Sequence, residues 1–98
     1  ITFFCANCQE KYEFEDSKID IDPIGSYERQ MGNENEYSIV EEFDCVKCKN
    51  HIRAEFNFWE YPLGALNYSE YSEEGCIITE EPDYQKLLIS DQEQNYEI

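Results

Sequence analysis

Two pairs of cysteines are the residues best suited to chemistry in this 98-residue sequence. Cys5 and Cys8 form one C-x-x-C unit, and Cys45 and Cys48 form a second. Two residues between the cysteines let one tight turn present both sulfurs to the same ion, and four thiolates suit a tetrahedral zinc ion. The spacing therefore predicts one metal site, with zinc as the cofactor, that ties the start of the chain to its middle.

Several alternatives to a zinc site with four thiolates stay open. Disulfides are less favoured, because the cysteines are paired rather than scattered and no secretory signal is recognised. Iron is the competing metal, since it accepts the same ligand set. His51 lies three residues past Cys48 and could replace a cysteine as ligand, although strand alternation turns it outward. Cys76 has apolar neighbours and is expected to be a buried, inert thiol.

The cysteine units resemble the knuckles of the zinc-ribbon, or rubredoxin-like, family. The matching stretches are Cys5-Ala-Asn-Cys8-Gln-Glu-Lys-Tyr12 and Cys45-Val-Lys-Cys48-Lys-Asn-His-Ile52. We call residues 5–8 the first knuckle and residues 45–48 the second knuckle. The resemblance implies ligation by all four cysteines and a small antiparallel sheet. Gln9 and Lys49 stand where the family often has glycine, at a position that favours a positive φ.

Alternating residues around the second knuckle predict the elements that position it. Before the knuckle, one predicted face carries Tyr37, Ile39, Glu41 and Phe43; after it, one face carries Ile52, Ala54, Phe56 and Phe58. A period of two with aromatic and β-branched residues indicates a half-buried antiparallel strand pair, joined by the knuckle.

The remaining chain predicts a single small β-rich zinc-ribbon domain over residues 1–90, with an acidic C-terminal extension. Residues 1–15 predict a hairpin around the first knuckle, and residues 19–22 a short strand broken by Pro23 and Gly25. Residues 26–36 are interpreted as a loop with a brief strand near Tyr27, and residues 64–74 as a second loop. Residues 76–79 predict a strand, and residues 84–90 a short helix or strand. Residues 91–98 are expected to be a flexible tail.

The chain is strongly acidic, with 23 acidic and 7 basic side chains and a net charge of -16. Such a field repels nucleic-acid phosphates and anionic membranes and attracts basic proteins. No apolar run reaches the roughly 20 residues needed to span a bilayer. We therefore expect a cytoplasmic protein with a basic protein partner, no membrane association, and no nucleic-acid binding by the isolated domain.

The candidate partner-binding surface combines tyrosines with carboxylates: Tyr68, Glu70, Tyr71, Glu73 and Glu74. Aromatic residues anchor interfaces, and charges around them steer approach. The alternative is that these tyrosines, with Trp59 and Tyr61, pack over the sheet and enlarge a thin core.

The hypothesis that follows is a zinc-stabilised protein-binding domain, in its sharper form an inhibitor or immunity protein that covers the basic cleft of a nuclease-type toxin. A nucleic-acid-binding ribbon is the alternative, supported by a basic cluster near the knuckles: Lys11, Lys47, Lys49 and Arg53. A structural adaptor within a larger complex is a third. Catalysis is not expected, because the sequence has one histidine, no nucleophile–base motif and no glycine-rich phosphate loop.

Overall fold

The structure is a computed structural model that describes residues 1–89. Its strands are β1 (Thr2–Cys5), β2 (Lys11–Glu13), β3 (Asp22–Arg29), β4 (Gly32–Asp44), β5 (His51–Glu60), β6 (Leu66–Glu74) and β7 (Cys76–Glu80). A 3-10 turn covers Asp16–Lys18, and residues 84–89 are helical. The strands form a three-stranded sheet, in the order β2-β1-β7, and a four-stranded sheet, in the order β3-β4-β5-β6. All pairings are antiparallel, so the prediction of a small, mainly antiparallel β domain is confirmed.

The pair formed by β4 and β5 is the centre of the molecule, and its faces are those that the alternation predicts. Ile39 lies opposite Phe56, and Phe43 lies opposite Ile52. Ile39, Ile52 and Phe56 are fully buried, together with Ala54 and, almost fully, Phe58. Burying a side chain of this size contributes about 1.5–3 kcal/mol, which makes this face the main source of stability outside the metal site.

Two other elements cover that buried face, one at each end. At the knuckle end Phe3 of β1 is fully buried, with its ring centroid 5.7 Å from Tyr12 and 6.1 Å from Phe43 of β4. At the far end the helix lays buried Tyr84 against Phe58, at 5.1 Å between ring centroids. The core therefore lies between one face of the four-stranded sheet and these two covers.

We call the opposite face of the four-stranded sheet the outer face. Strand alternation places on it, among others, Tyr27, Glu36, Val40, Arg53, Asn57, Trp59, Tyr68, Glu70 and Glu74. The three-stranded sheet and the helix both pack on the other side, so within residues 1–89 this face is left to solvent. Tyr27, Val40 and Tyr68 on it are all exposed.

The third strand corrects two sequence expectations. Pro23 and Gly25 were expected to end a strand over residues 19–22, and residues 26–36 to form a loop. Instead β3 begins at Asp22, runs through both residues with an irregularity between them, and pairs with β4 across the hairpin turn. Because β3 is an edge strand, a proline there costs no interior ladder bond. Its side chains are nearly all exposed, so no apolar alternation marked it as a strand.

The segment after β5 corrects a third expectation. Residues 64–74 were expected to form a loop, but Leu66–Glu74 is the strand β6, paired along most of β5. This strand is also at an edge and is largely exposed, which explains its polar sequence. The strand predicted at residues 76–79 is confirmed as β7. Residues 84–89, left open between helix and strand, are helical; residue 90 and the predicted tail at 91–98 lie outside the described residues.

Within residues 1–89, no helix has the length and apolar composition needed to cross a bilayer.

Candidate metal centre

Each knuckle is the turn of a β-hairpin, and the two turns have the same backbone geometry. In each, the N–H of the first cysteine donates to the carbonyl oxygen five residues later, at 2.8 Å in both knuckles. The N–H four residues later donates back to the carbonyl oxygen of that cysteine, at 3.0 Å in the first knuckle and 2.9 Å in the second. Gln9 and Lys49 follow the second cysteines with φ values of 68° and 67°. The positive φ that the resemblance implies is therefore present at both positions, without glycine.

The two hairpins bring the four predicted cysteines together. Cys5 Sγ lies 3.6 Å from Cys48 Sγ, and Cys8 Sγ lies 3.6 Å from Cys45 Sγ. All four sulfurs lie within 4.8 Å of one another. Four thiolates around an ion, with bonds of about 2.3 Å, form a tetrahedron with edges of about 3.8 Å. The donor set and its spacing fit a single tetrahedrally bound metal ion.

The electrostatics of the four thiols also favour a cation between them. The hydroxyl of Tyr12 donates to Cys45 Sγ and, with the N–H groups of the second knuckle, lowers the pKa of the Cys45 thiol to about 6. The N–H of Cys8 is the main cause that lowers the pKa of Cys5. The Glu10 N–H acts in the same direction on Cys8, but burial and the three neighbouring sulfurs prevail and raise its pKa to about 12. Four thiolates cannot coexist this closely without a bound cation, which stabilises the ionised forms.

Three residues outside the cysteines support the cluster. Tyr12 bridges the hairpins, because its hydroxyl accepts from Val46 N–H at 3.1 Å and donates to Cys45 Sγ at 3.2 Å. The Asn50 amide donates to the carbonyl of Gly75 at 3.0 Å and points at Cys5 Sγ, 3.7 Å away. Sequence reasoning quoted Tyr12 only as a packing residue and missed the other two. The signal available was an amide two positions past Cys48, where the first knuckle has a glutamate.

Gly75 is the point where β6, β7 and both knuckles meet. Its carbonyl oxygen accepts from Ala6 N–H in the first knuckle at 3.0 Å and from Asn50 just after the second. Its φ is +69°, and a Cβ built at this position would lie 2.0 Å from the carbonyl oxygen of His51. Only glycine fits such a conformation and such a close approach of two backbones.

The two other candidate ligands lie outside the cluster. The ring of His51 lies between two carboxylates, with Nδ1 at 3.0 Å from Asp44 Oδ1 and Nε2 at 2.9 Å from Glu42 Oε2. Cys76 is buried, and its thiol points at the Arg53 carbonyl oxygen, 3.8 Å away. Burial is the main cause that raises the pKa of Cys76, as expected for an unreactive thiol.

The five predicted partner-binding residues do not share one face, because they lie on a strand rather than a loop. Tyr68, Glu70 and Glu74 lie on the outer face. Tyr71 and Glu73 alternate to the other side, where the Tyr71 ring lies 6.4 Å from Phe56. There Glu73 Oε2 accepts a bond from Ile78 N–H of β7 at 2.8 Å.

Comparison with protein-family models, curated proteins and solved structures finds no match to this chain. What the site holds is therefore inferred from its own geometry.

Removing one hydroxyl tests the support that Tyr12 gives to the site. Tyr12→Phe deletes the O–H bond to Cys45 Sγ and the acceptor for Val46 N–H while keeping the ring against Phe43. We expect the variant to fold and to bind metal about 10–100-fold more weakly, the usual cost of losing such an outer-shell bond. Competition with a chromophoric chelator measures the affinity. Tyr27→Phe, whose hydroxyl bonds Glu36 far from the cysteines, should leave the affinity unchanged. Equal affinities of the two variants would contradict the role assigned to Tyr12.

The titration of His51 tests whether it is a ligand. Asp44 and then Glu42 raise the pKa of this histidine above its ordinary value. The folded state holds the proton more tightly, so this contribution to stability is complete below the unfolded pKa of about 6.5 and is lost as pH rises through the folded pKa. NMR titration of the single histidine should give a midpoint above about 6.5, which Asp44→Asn should lower. A ring that does not titrate would indicate metal ligation instead.

Proposed function

We propose that the four cysteines bind one structural zinc ion, and that the domain is a zinc ribbon. The observation that carries this proposal is the position of four sulfurs within 4.8 Å of one another. Two hairpins with matching knuckle turns support it, because that arrangement is what the zinc-ribbon resemblance implies. Four protein ligands close the coordination sphere, whereas a catalytic zinc keeps an open position. The role of the ion in this proposal is to join the two sheets, and no catalysis is assigned to it. A ferric tetrathiolate would colour the protein red, which separates iron from zinc by absorbance.

The proposed activity is the binding of a basic protein by this strongly acidic, cytoplasmic domain. A net charge of -16 on 98 residues supports it, together with tyrosines that stay exposed beside carboxylates on β6. In its sharper form the domain is an inhibitor or immunity protein. Its carboxylates would occupy a basic active-site cleft in place of the phosphates that a nuclease binds, and so exclude the nucleic acid.

Two basic proteins with different clefts test this activity. Pancreatic ribonuclease has a cationic active site, whereas the cleft of hen lysozyme contains two catalytic carboxylates. We expect calorimetry with the zinc-loaded domain to give a Kd for ribonuclease below about 10 μM at about 20 mM salt, where screening is weak. Ribonuclease cleavage should be inhibited in parallel. Equal binding to both proteins without inhibition would support a basic partner but contradict the inhibitor form, and no binding to either would contradict the proposed activity.

Nucleic-acid binding is the second candidate, and the basic cluster near the knuckles is its only support. Two of the four cations in that cluster already have acidic neighbours. Lys11 Nζ lies 3.0 Å from Glu13, and Arg53 pairs with Glu55 and lies 3.8 Å from Glu42. Few charges are left for phosphates against the field of the whole domain. A gel shift at low salt discriminates, because tight binding of an oligonucleotide would favour this candidate over the acidic protein-binding domain. A structural adaptor role predicts neither inhibition nor a gel shift.

A further inference from the structure

The outer face carries an exposed aromatic pair. Trp59 of β5 and Tyr68 of β6 are cross-strand partners, and their ring centroids are 5.1 Å apart. Tyr68 is 54% exposed, and Val40 and Tyr27 on the neighbouring strands are 39% and 51% exposed. Aromatic rings that keep this much exposed area supply anchors for a partner at low entropic cost.

Acidic residues surround the aromatic pair, and some of them have no cation nearby. Salt bridges with Arg29 and Arg53 engage part of the acid on this face. Within residues 1–89, Glu36, Glu70 and Glu74 form no salt bridge within 4.0 Å. Glu36 and Glu70 instead accept from the tyrosines Tyr27 and Tyr68, at 3.3 and 3.2 Å. Their charge is therefore available to a cationic partner.

The size of the face suits a protein partner. Four strands about 4.8 Å apart and roughly 34 Å long along β5 present on the order of 650 Å². A standard protein–protein interface buries about 800 Å² on each partner. The face is thus large enough to form most of one side of such an interface.

From these observations we infer that the outer face of the four-stranded sheet is the surface that docks a basic protein, with Trp59 and Tyr68 as anchors and Glu36, Glu70 and Glu74 as the contacting charges. This inference rests on the proposed function and assigns its place on the molecule. A second copy of this chain does not suit the face, because two domains of charge -16 repel each other. Lysine and arginine side chains on the partner supply both the opposite charge and cation–π contacts with the rings.

A second acidic region is the natural competitor for the same partner. An open cleft of about 1080 Å³ is lined by Glu13, Glu15, Asp16, Asp20, Glu80 and Lys86, among others. Its apolar lining residues Ile1, Phe14 and Leu87 are buried or half-buried rather than exposed. It therefore offers charge without an exposed aromatic anchor, and it contains a cation of its own.

Two double variants with equal charge changes distinguish the surfaces. Glu70→Gln with Glu74→Gln removes two charges from the outer face, and Asp20→Asn with Glu80→Gln removes two from the cleft. Both raise the net charge by two, so long-range attraction changes equally. At about 20 mM salt we expect the outer-face pair to weaken ribonuclease binding at least about fivefold and the cleft pair by less than about twofold. Tyr68→Ser should also weaken binding while the single tryptophan, Trp59, reports on the interface by fluorescence.

The outcomes separate the surface from the function. Perturbed amide signals clustered around Val40, Asn57 and Trp59 in the ribonuclease complex, with a change in Trp59 emission, support the outer face. Binding that is lost in the cleft variant, or signals spread evenly over all acidic segments, would overturn the surface while the proposed function stands. No binding of ribonuclease or lysozyme by calorimetry would overturn the function itself. Perturbation of the outer face by an oligonucleotide alone would overturn both.

Discussion

Cys45→Ser is expected to unfold the domain under conditions in which the wild-type chain is folded. Cys45 is fully buried, and its sulfur touches both Cys8 Sγ and the Tyr12 hydroxyl. A structural zinc site contributes about 10–16 kcal/mol to folding, whereas a domain of this size has a total stability of only about 5–15 kcal/mol. Serine is a poor ligand for zinc, so most of that contribution is lost. Circular dichroism and a two-dimensional NMR spectrum with equimolar zinc measure the result.

The same substitution at the fifth cysteine is the matched control. Cys76 is also buried but lies outside the cluster, and a serine hydroxyl there can donate to the Arg53 carbonyl oxygen. We expect Cys76→Ser to stay folded, to bind one zinc per chain and to lose about 1–3 kcal/mol from burying the hydroxyl. If both variants unfold, or if Cys45→Ser keeps its zinc and its melting temperature, the assignment of Cys45 as a ligand is wrong.

Gly75→Ala is expected to cost roughly 2–5 kcal/mol of unfolding free energy. About 1–2 kcal/mol comes from placing a side chain at a left-handed backbone angle, here +69°. The rest comes from a Cβ placed 2.0 Å from the His51 carbonyl oxygen, which forces β5 and β7 apart. The shift also pulls the Gly75 carbonyl away from Ala6 and Asn50, so metal affinity should fall along with stability. Urea unfolding of the zinc-loaded protein measures the first effect, and chelator competition measures the second.

Gly32→Ala separates backbone strain from the clash. Gly32 also has a positive φ, +103°, but nothing lies within 4 Å of a Cβ built there. It begins β4 at the turn after β3, far from the cysteines in the sequence. We expect this variant to lose only about 1–2 kcal/mol and to keep its metal affinity. Equal losses at both glycines would show that the contact of Gly75 with β5 is unimportant.

The sequence predicts well what the core and the metal require. Residues of β4 and β5 alternate between a buried and a solvent face, so aromatic and aliphatic residues recur with a period of two. The cysteine spacing predicts both knuckles and their meeting, because soft ligands in paired turns have few other uses. The strands β3 and β6 escape prediction for the opposite reason. Both are edge strands with mostly exposed side chains, and their backbone pairing leaves no apolar pattern in the sequence.

The residues that support the site depend on contacts between distant parts of the chain. Asn50 and Gly75 are 25 positions apart, and Tyr12 and Cys45 are 33 apart. No local pattern specifies such pairs. The partner-binding set shows the related effect of a missed strand. Taken as a loop, Tyr68 to Glu74 form one surface, whereas the pleat of β6 sends Tyr71 and Glu73 to the opposite side from Tyr68 and Glu70.

Elemental analysis combined with chelation tests the metal site most directly. The purified protein should contain one zinc ion per chain, and a strong chelator should abolish its β-sheet spectrum until zinc is restored. Removal of zinc should also free all four clustered thiols to react with a thiol reagent, in addition to Cys76. A protein without stoichiometric metal, or one whose spectrum and melting temperature are the same after chelation, would contradict a fold in which one ion joins the two knuckles.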